Sequence, residues 1–277
     1  MAPLLALGGA LCWGVADFLG GLAARRIAVL TVIVVSQAVG LLGLVLWVWV
    51  ADEPFPGVAE TLPAAGAGIA VVAGVAALYR GLAIGAMGIV APISAAGPVV
   101  PLAVDAIQGT TPATLQWLGI GLILVGIATL SREPSSSGGR QLAAGAGLAV
   151  VAAVGFGLFI VGIDAGSDES ATWAVLSARS AAVPLAIVAA LVTSTALRPP
   201  RSMLPTLVAI GVVDTGANVL VATATTEGAA GIVAVLSSLY PVVTIVLARI
   251  VLTEKLSRQK RAGGVVALAG AALVAAG

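Results

Sequence analysis

Apolar residues fill this chain in long blocks rather than at helix or strand spacing, and the blocks end at proline, glycine or charge. Ten of them, each close to the ~20 residues needed to cross a bilayer, cover 3–24, 28–50, 63–85, 88–108, 112–130, 141–163, 172–195, 204–226, 229–251 and 259–276. Fusing the pairs that meet at 85–88 or 227–228 would demand one helix of about 45 residues, too long for a single crossing. The first block lacks the basic leader of a signal peptide, since Arg25 and Arg26 follow it, and it reads as a retained helix. The pattern predicts an all-α integral membrane protein of ten transmembrane helices. Five lie in 1–130 and five in 141–277, on either side of the polar stretch 131–140.

The two halves echo each other. Gly88-Ile89-Val90-Ala91 matches Gly231-Ile232-Val233-Ala234, and the same offset brings Ser94 onto Ser237 and Pro98-Val99-Val100 onto Pro241-Val242-Val243. One residue of slippage later, Gly119 and Gly126 fall on Gly263 and Gly270. Because five crossings make a half, the second half inserts upside down relative to the first, the inverted repeat common in secondary transporters.

Trp13-Gly14, the run Ala77-Leu78-Tyr79-Arg80-Gly81-Leu82-Ala83, the proline-bearing fourth and ninth helices, and Glu254 followed by Gly263 and Gly270 carry a family likeness. On these the chain resembles, over its whole length, the drug/metabolite transporter superfamily, specifically its ten-helix EamA-type members. Two departures stand out: Thr110-Thr111 replaces the acidic residue expected in the first half, and Gln37 is the counterpart of Arg179. The resemblance implies a transporter, places the helices of Tyr79 and Tyr240 around a central cavity, and puts both termini in the cytoplasm.

Composition narrows the function classes. With 60% hydrophobic and 9% charged residues and a mean hydropathy of +1.16, the chain belongs in the bilayer, in a multi-pass arrangement in the cell (cytoplasmic) membrane. A net charge of +1 without a basic run excludes a nucleic-acid partner. One cysteine, Cys12, and no histidine leave no metal site, no cofactor site and no common hydrolase arrangement to expect. No phosphate-binding GxxxxGK[ST] motif is present, which argues against primary pumping.

Loop charge speaks to orientation against the family. Arg25, Arg26, Arg132, Arg140, Arg198, Arg201, Lys255, Arg258, Lys260 and Arg261 all fall on the side opposite the termini, and the termini's own side has no basic loop residue. The positive-inside rule therefore puts both termini outside.

Ionisable groups within a bilayer are costly and mark function. Arg80 and Arg249 sit near enough to helix ends to snorkel, and Asp105 is expected to reach water in the same way. Asp214 lies too deep for that, with Asn218 one turn on along the same face, and Asp17 shares a face of the first helix with Trp13. Arg179 is intermediate in depth. In the fourth helix Ser94, Pro98, Pro101 and Asp105 form one stripe, matched by Ser237, Pro241, Thr244 and Ala248 in the ninth. There a proline kink frees a backbone carbonyl, tolerable only against protein or a water-lined cavity. The substrate-binding candidates are Trp13, Asp17, Tyr79, Ser94, Pro98, Arg179, Asp214, Asn218, Ser237, Tyr240 and Pro241, with Asp17 and Asp214 as proton-coupling candidates. For each, a purely structural role as helix glue, kink or interfacial aromatic is the competing reading.

The expected function is alternating-access transport of a small polar or zwitterionic, amino-acid-like metabolite. Export is the favoured direction, and proton coupling and facilitated diffusion both fit. Export of hydrophobic cations, flipping of a lipid-linked sugar and a non-transporting membrane scaffold are the alternatives. The expected partners are the solute and the lipid bilayer.

Overall fold

The computed structural model describes residues 1–84, 93–94, 96–131, 139–252 and 258–277. Among them every regular element is helical: α1 (Ala2–Ala24), α2 (Val29–Val50), α3 (Val58–Ile84), α4 (Val99–Ile107), α5 (Thr114–Ser131), α6 (Gly139–Asp164), α7 (Ala171–Val192), α8 (Leu204–Glu227), α9 (Ala230–Ser237), α10 (Tyr240–Val251) and α11 (Arg258–Ala276). Lipid offers backbone groups no partner, so a spanning segment must close its own hydrogen bonds, which a helix does. Seven stretches are long and apolar enough to cross a membrane, with Ala230–Leu247 counted as one of them, and Thr114–Thr129 and Arg261–Ala276 are shorter apolar helices. The outer surface is correspondingly greasy: Leu42, Leu46, Trp49 and Val50 on α2 and Val188, Leu191 and Val192 on α7 are exposed.

The packing maps onto itself when the halves are exchanged. Helix α1 runs along α8 as α3 runs along α6, α2 lies on α8 as α7 lies on α3, and α1 touches α9 and α10 as α6 touches α4. Two further pairs join corresponding helices, α2 with α7 and α5 with α11, and α4 packs on α9 across the halves. The α5–α11 pair is antiparallel, because Gly119 faces Gly270 and Val274 while Gly126 faces Gly263 and Ala267. The backbones touch there. A Cβ on Gly119 would stand 2.6 Å from the Gly270 carbonyl oxygen, and one on Gly126 would stand 2.7 Å from that of Gly263. In lipid, where apolar burial gives helices no reason to associate, such close approach through small residues is what holds them together.

Two local readings change. The third helix begins at Val58 rather than 63 and carries Pro63 within it. The ninth predicted span is two helices, α9 and α10, separated by turn residues Ser238 and Leu239. In the fourth, Ile93 and Ser94 are helical, Ala96 to Pro98 form a turn, and α4 follows. The breaks are equivalent bond for bond. Ala96 N–H donates to Ile93 and Val99 N–H to Ala96, as Leu239 N–H donates to Leu236 and Val242 N–H to Leu239. Pro98 and Pro241 do not kink a continuous helix: Pro98 is the N-cap of α4 and Pro241 the second residue of α10. A missing N–H is harmless at such positions.

G126L is expected to destabilise the protein by about 1–3 kcal/mol through overpacking. G121A, where a Cβ meets nothing within 4 Å, should leave stability unchanged or raise it by up to ~1 kcal/mol from helix propensity. Unfolding curves in detergent micelles check both.

Candidate functional site

Three helices from the two halves meet around one guanidinium. Arg179 on α7 is 5% exposed, and its Nη2 donates to Asp214 Oδ2 on α8 at 2.6 Å. Its Nη1 donates to Gln37 Oε1 on α2, and Gln37 Nε2 reaches Asp214 Oδ2 at 3.5 Å. The triangle is closed. Arg179 lies eight residues into α7 and Asp214 ten residues into α8, so both sit roughly 12–15 Å from a helix end at 1.5 Å per residue, beyond easy snorkelling. At that depth a guanidinium persists only with a counter-ion and hydrogen-bond acceptors. Among the described residues its Nε remains a buried donor without an acceptor.

Glycine makes the room. A Cβ on Gly40, one turn after Gln37, would stand 3.3 Å from Arg179 Cζ and 3.2 Å from the Gly211 carbonyl oxygen. Gly211 in turn presses on the Ser36 carbonyl. Helices α2 and α8 thus close over the guanidinium because neither carries a side chain at the crossing.

Gln37 and Arg179 are repeat counterparts, and the structure brings them into contact, as expected where a pseudo-two-fold axis passes between equivalent helices. Asn218 is buried, yet its Nδ2 donates to the Asp214 backbone carbonyl at 2.6 Å. It therefore braces the helix and leaves the carboxylate to Arg179 and Gln37.

Asp17 stands across from this triangle. Its side chain is exposed, and its carboxylate is within electrostatic range of Asp214. Among the described residues it makes no hydrogen bond or ion pair. One turn before it, Trp13 meets Tyr240 edge to face, with centroids 6.3 Å apart and planes at 82°. Gly14 lets α1 press against the Tyr240 carbonyl, 2.7 Å from where a Cβ would be. Thr244 Oγ1 donates at 3.1 Å to the Gly14 and Tyr240 carbonyls. Trp13 and Asp17 thus lie one turn apart on α1, and Tyr240 extends the aromatic surface beside them.

The remaining candidates lie at the helix breaks. Ser94, Pro98 and Ser237 are buried and Pro241 is half-buried, and Ser237 Oγ donates to the Ala234 carbonyl at 3.1 Å. These residues shape the breaks and lie outside the charged triangle. The side chain of Tyr79 lies outside the described residues. Asp105 departs from the sequence reading. It is 6% exposed and accepts the Gly231 N–H at 2.7 Å, so it caps a helix where access to water was expected. Gln37 was noted as the counterpart of Arg179 and missed as a site residue; its position on the repeat axis was the available signal. A groove of about 690 Å³ lies elsewhere, between α2, α3 and α7, and is lined by residues including Val48, Trp49, Trp173 and Ser177.

With fold and site in place, the likeness becomes a membership. The model of the EamA-like transporter family matches the chain twice, over residues 1–132 and 143–276. The chain belongs to the EamA-like transporter family. It is a multi-pass membrane protein of a family of membrane transporters. No curated protein matches this EamA-like chain. Among solved structures, 28 chains match. One, titled only as the crystal structure of a protein, is 16% identical, with a TM-score of 0.78 over 98% of this chain and 95% of its own. At that identity the likeness speaks to the EamA-like fold alone.

Removing Arg179 from this EamA-like transporter leaves Asp214 without its cation. R179Q should cost about 3 kcal/mol, at the low end for a broken buried pair because Asp214 keeps partial access to solvent. R179Q combined with D214N should cost less than the sum of the two, by roughly 1–3 kcal/mol. A double-mutant cycle on thermal unfolding in micelles measures this coupling; strict additivity would deny the pair.

Proposed function

We propose that this protein is a secondary transporter of ten crossings, built as two inverted five-helix repeats, that moves a small zwitterionic, amino-acid-like solute by alternating access. The observation that carries the reading is the charged group between the halves: Arg179 is neutralised by Asp214, while Asp17 adds a further carboxylate in electrostatic range of Asp214. This group thus holds one negative charge in excess. In a low-dielectric interior that excess calls for a cation, either a proton or the ammonium group of a solute. Competition of the two for one carboxylate is how proton-coupled exchange arises, and it makes Asp17 the coupling residue with Asp214 as the counter-ion of Arg179. The Trp13–Tyr240 pair beside Asp17 offers an apolar, π-rich wall for the rest of the solute. The antiparallel α5–α11 pair supports inversion, since an axis parallel to the helices would leave equivalent helices parallel.

In proteoliposomes with an imposed proton gradient, the parent protein should accumulate labelled zwitterionic amino acids. D17N should lose gradient-driven accumulation while keeping downhill counterflow. Unchanged uphill transport in D17N removes it from the coupling role, and flux of a hydrophobic cation with none of any zwitterion turns the substrate reading over to cations.

Loop charge supports a cytoplasmic location for the basic side. The termini side instead gathers acids, among them Asp52, Glu53, Asp168 and Glu169. A C-terminal epitope tag is expected to bind antibody on intact cells; binding only after permeabilisation would reverse the orientation.

A further inference from the structure

We infer that Asp105 is a positioning residue of the transport cycle, a latch that holds the mouth on the termini side shut by capping a helix of the opposite half. The inference rests on the alternating-access reading above.

Helix α9 begins at that mouth with Ala229 as its N-cap, which supplies no side-chain cap. The first N–H groups of a helix have no partner within it, and in an apolar setting an unmet N–H is expensive. Here the Gly231 N–H is met from outside, by Asp105 Oδ2 at 2.7 Å. Asp105 lies near the end of α4, in the other half. The seam is tight: a Cβ on Gly231 would stand 2.7 Å from Asp105 Oδ2 and 2.8 Å from Leu102 Cα. Glycine at 231 is therefore a condition of the contact.

A cap drawn from the helix's own chain end would survive any movement of the halves. This one does not. Parting α4 from α9 strips the cap and leaves both an orphan N–H and a carboxylate that has lost its charge-assisted bond and the favourable field of a helix N-terminus. Asp164, at the end of α6, lies within electrostatic range of Asp105. It adds like charge, so the Gly231 N–H and the helix end are what hold Asp105 in place. In the repeat register the counterpart of Asp105 is Ala248, a residue type whose side chain has no acceptor. The repeat therefore cannot reproduce this bond with the equivalent side chain, and the Asp105 bond biases the resting equilibrium towards closure of the termini side.

The test uses the full chain in lipid nanodiscs, where a maleimide reaches both faces. Cys12, the sole cysteine, is replaced in a C12S background carrying either A234C, on α9 behind the latch, or A248C, at the repeat counterpart of Asp105 near the opposite end of the ninth span. With Asp105 intact, A234C should label slowly. D105A should raise its rate by roughly tenfold or more, the worth of one charge-assisted hydrogen bond, and lower that of A248C as the other side closes. D105N, which keeps an acceptor oxygen without the charge, should fall between and serves if D105A does not fold. Unchanged A234C labelling in both folded variants overturns the latch and leaves alternating access untouched. Faster A234C labelling with A248C unmoved overturns the coupling of the two mouths, and with it the alternating-access reading.

Discussion

Lipid contributes no hydrogen bonds, and this structure is a set of answers to that single constraint. Every carbonyl, amide and charge that enters the bilayer has to find its partner within the protein. Helices answer for the backbone. Arg179 is answered by Asp214 and Gln37, the start of α9 by Asp105, and the hydroxyls of Thr215 and Thr223 by carbonyls one turn earlier on α8. Apolar burial drives little association between helices in lipid, so contact is made by removing side chains. The Gly119–Gly270, Gly126–Gly263 and Gly40–Gly211 approaches are the joints of the molecule.

Duplication decides where those answers fall. Exchanging the halves maps most helix pairs onto other pairs, but α2–α7 and α5–α11 map onto themselves. Residues on such self-paired helices can meet their own counterparts, and divergence between the halves is sharpest in effect there. Two glutamines at positions 37 and 179 would make a neutral hydrogen-bonded pair. Arginine in one half turns the same place into a charged one and obliges a neighbouring helix to supply Asp214. Likewise Asp105 at the α4–α9 contact has Ala248 as its repeat counterpart, so an acid in one half answers to an alanine in the other.

Much of the fold was legible in the sequence because hydropathy and glycine placement carry it directly. The long apolar blocks, the register of the repeat and the glycines of the fifth and last helices required no three-dimensional knowledge. Trp13 beside Asp17 was equally readable, being an i, i+4 relation along one helix. What escaped was whatever depends on partners distant in sequence. Asp105 is near a helix end by sequence and so seemed able to reach water; only the approach of Gly231, 126 residues away, buries it. Asn218 seemed free to join Asp214, yet its amide is drawn to the nearer backbone carbonyl. The prolines read as kinks because composition cannot distinguish a bent helix from two helices laid end to end.

That last distinction has mechanical consequences. A kinked helix transmits rotation from one end to the other, whereas two segments joined by a turn of i to i+3 bonds can move separately at small cost, since few hydrogen bonds span the joint. The joints in the fourth and ninth segments coincide in the repeat. Helix α9 is tied by its first turn to α4 of the other half, while α10 is tied to α1 through Thr244 and Gly14, beside Trp13 and Asp17. The break at Ser238 and Leu239 therefore lies between the Asp105–Gly231 bond and the contacts beside Asp17. A change of charge or occupancy at Asp17 acts on α1 first. Because α1 packs on both α9 and α10, it reaches the Asp105–Gly231 bond directly through α9 as well as across that turn.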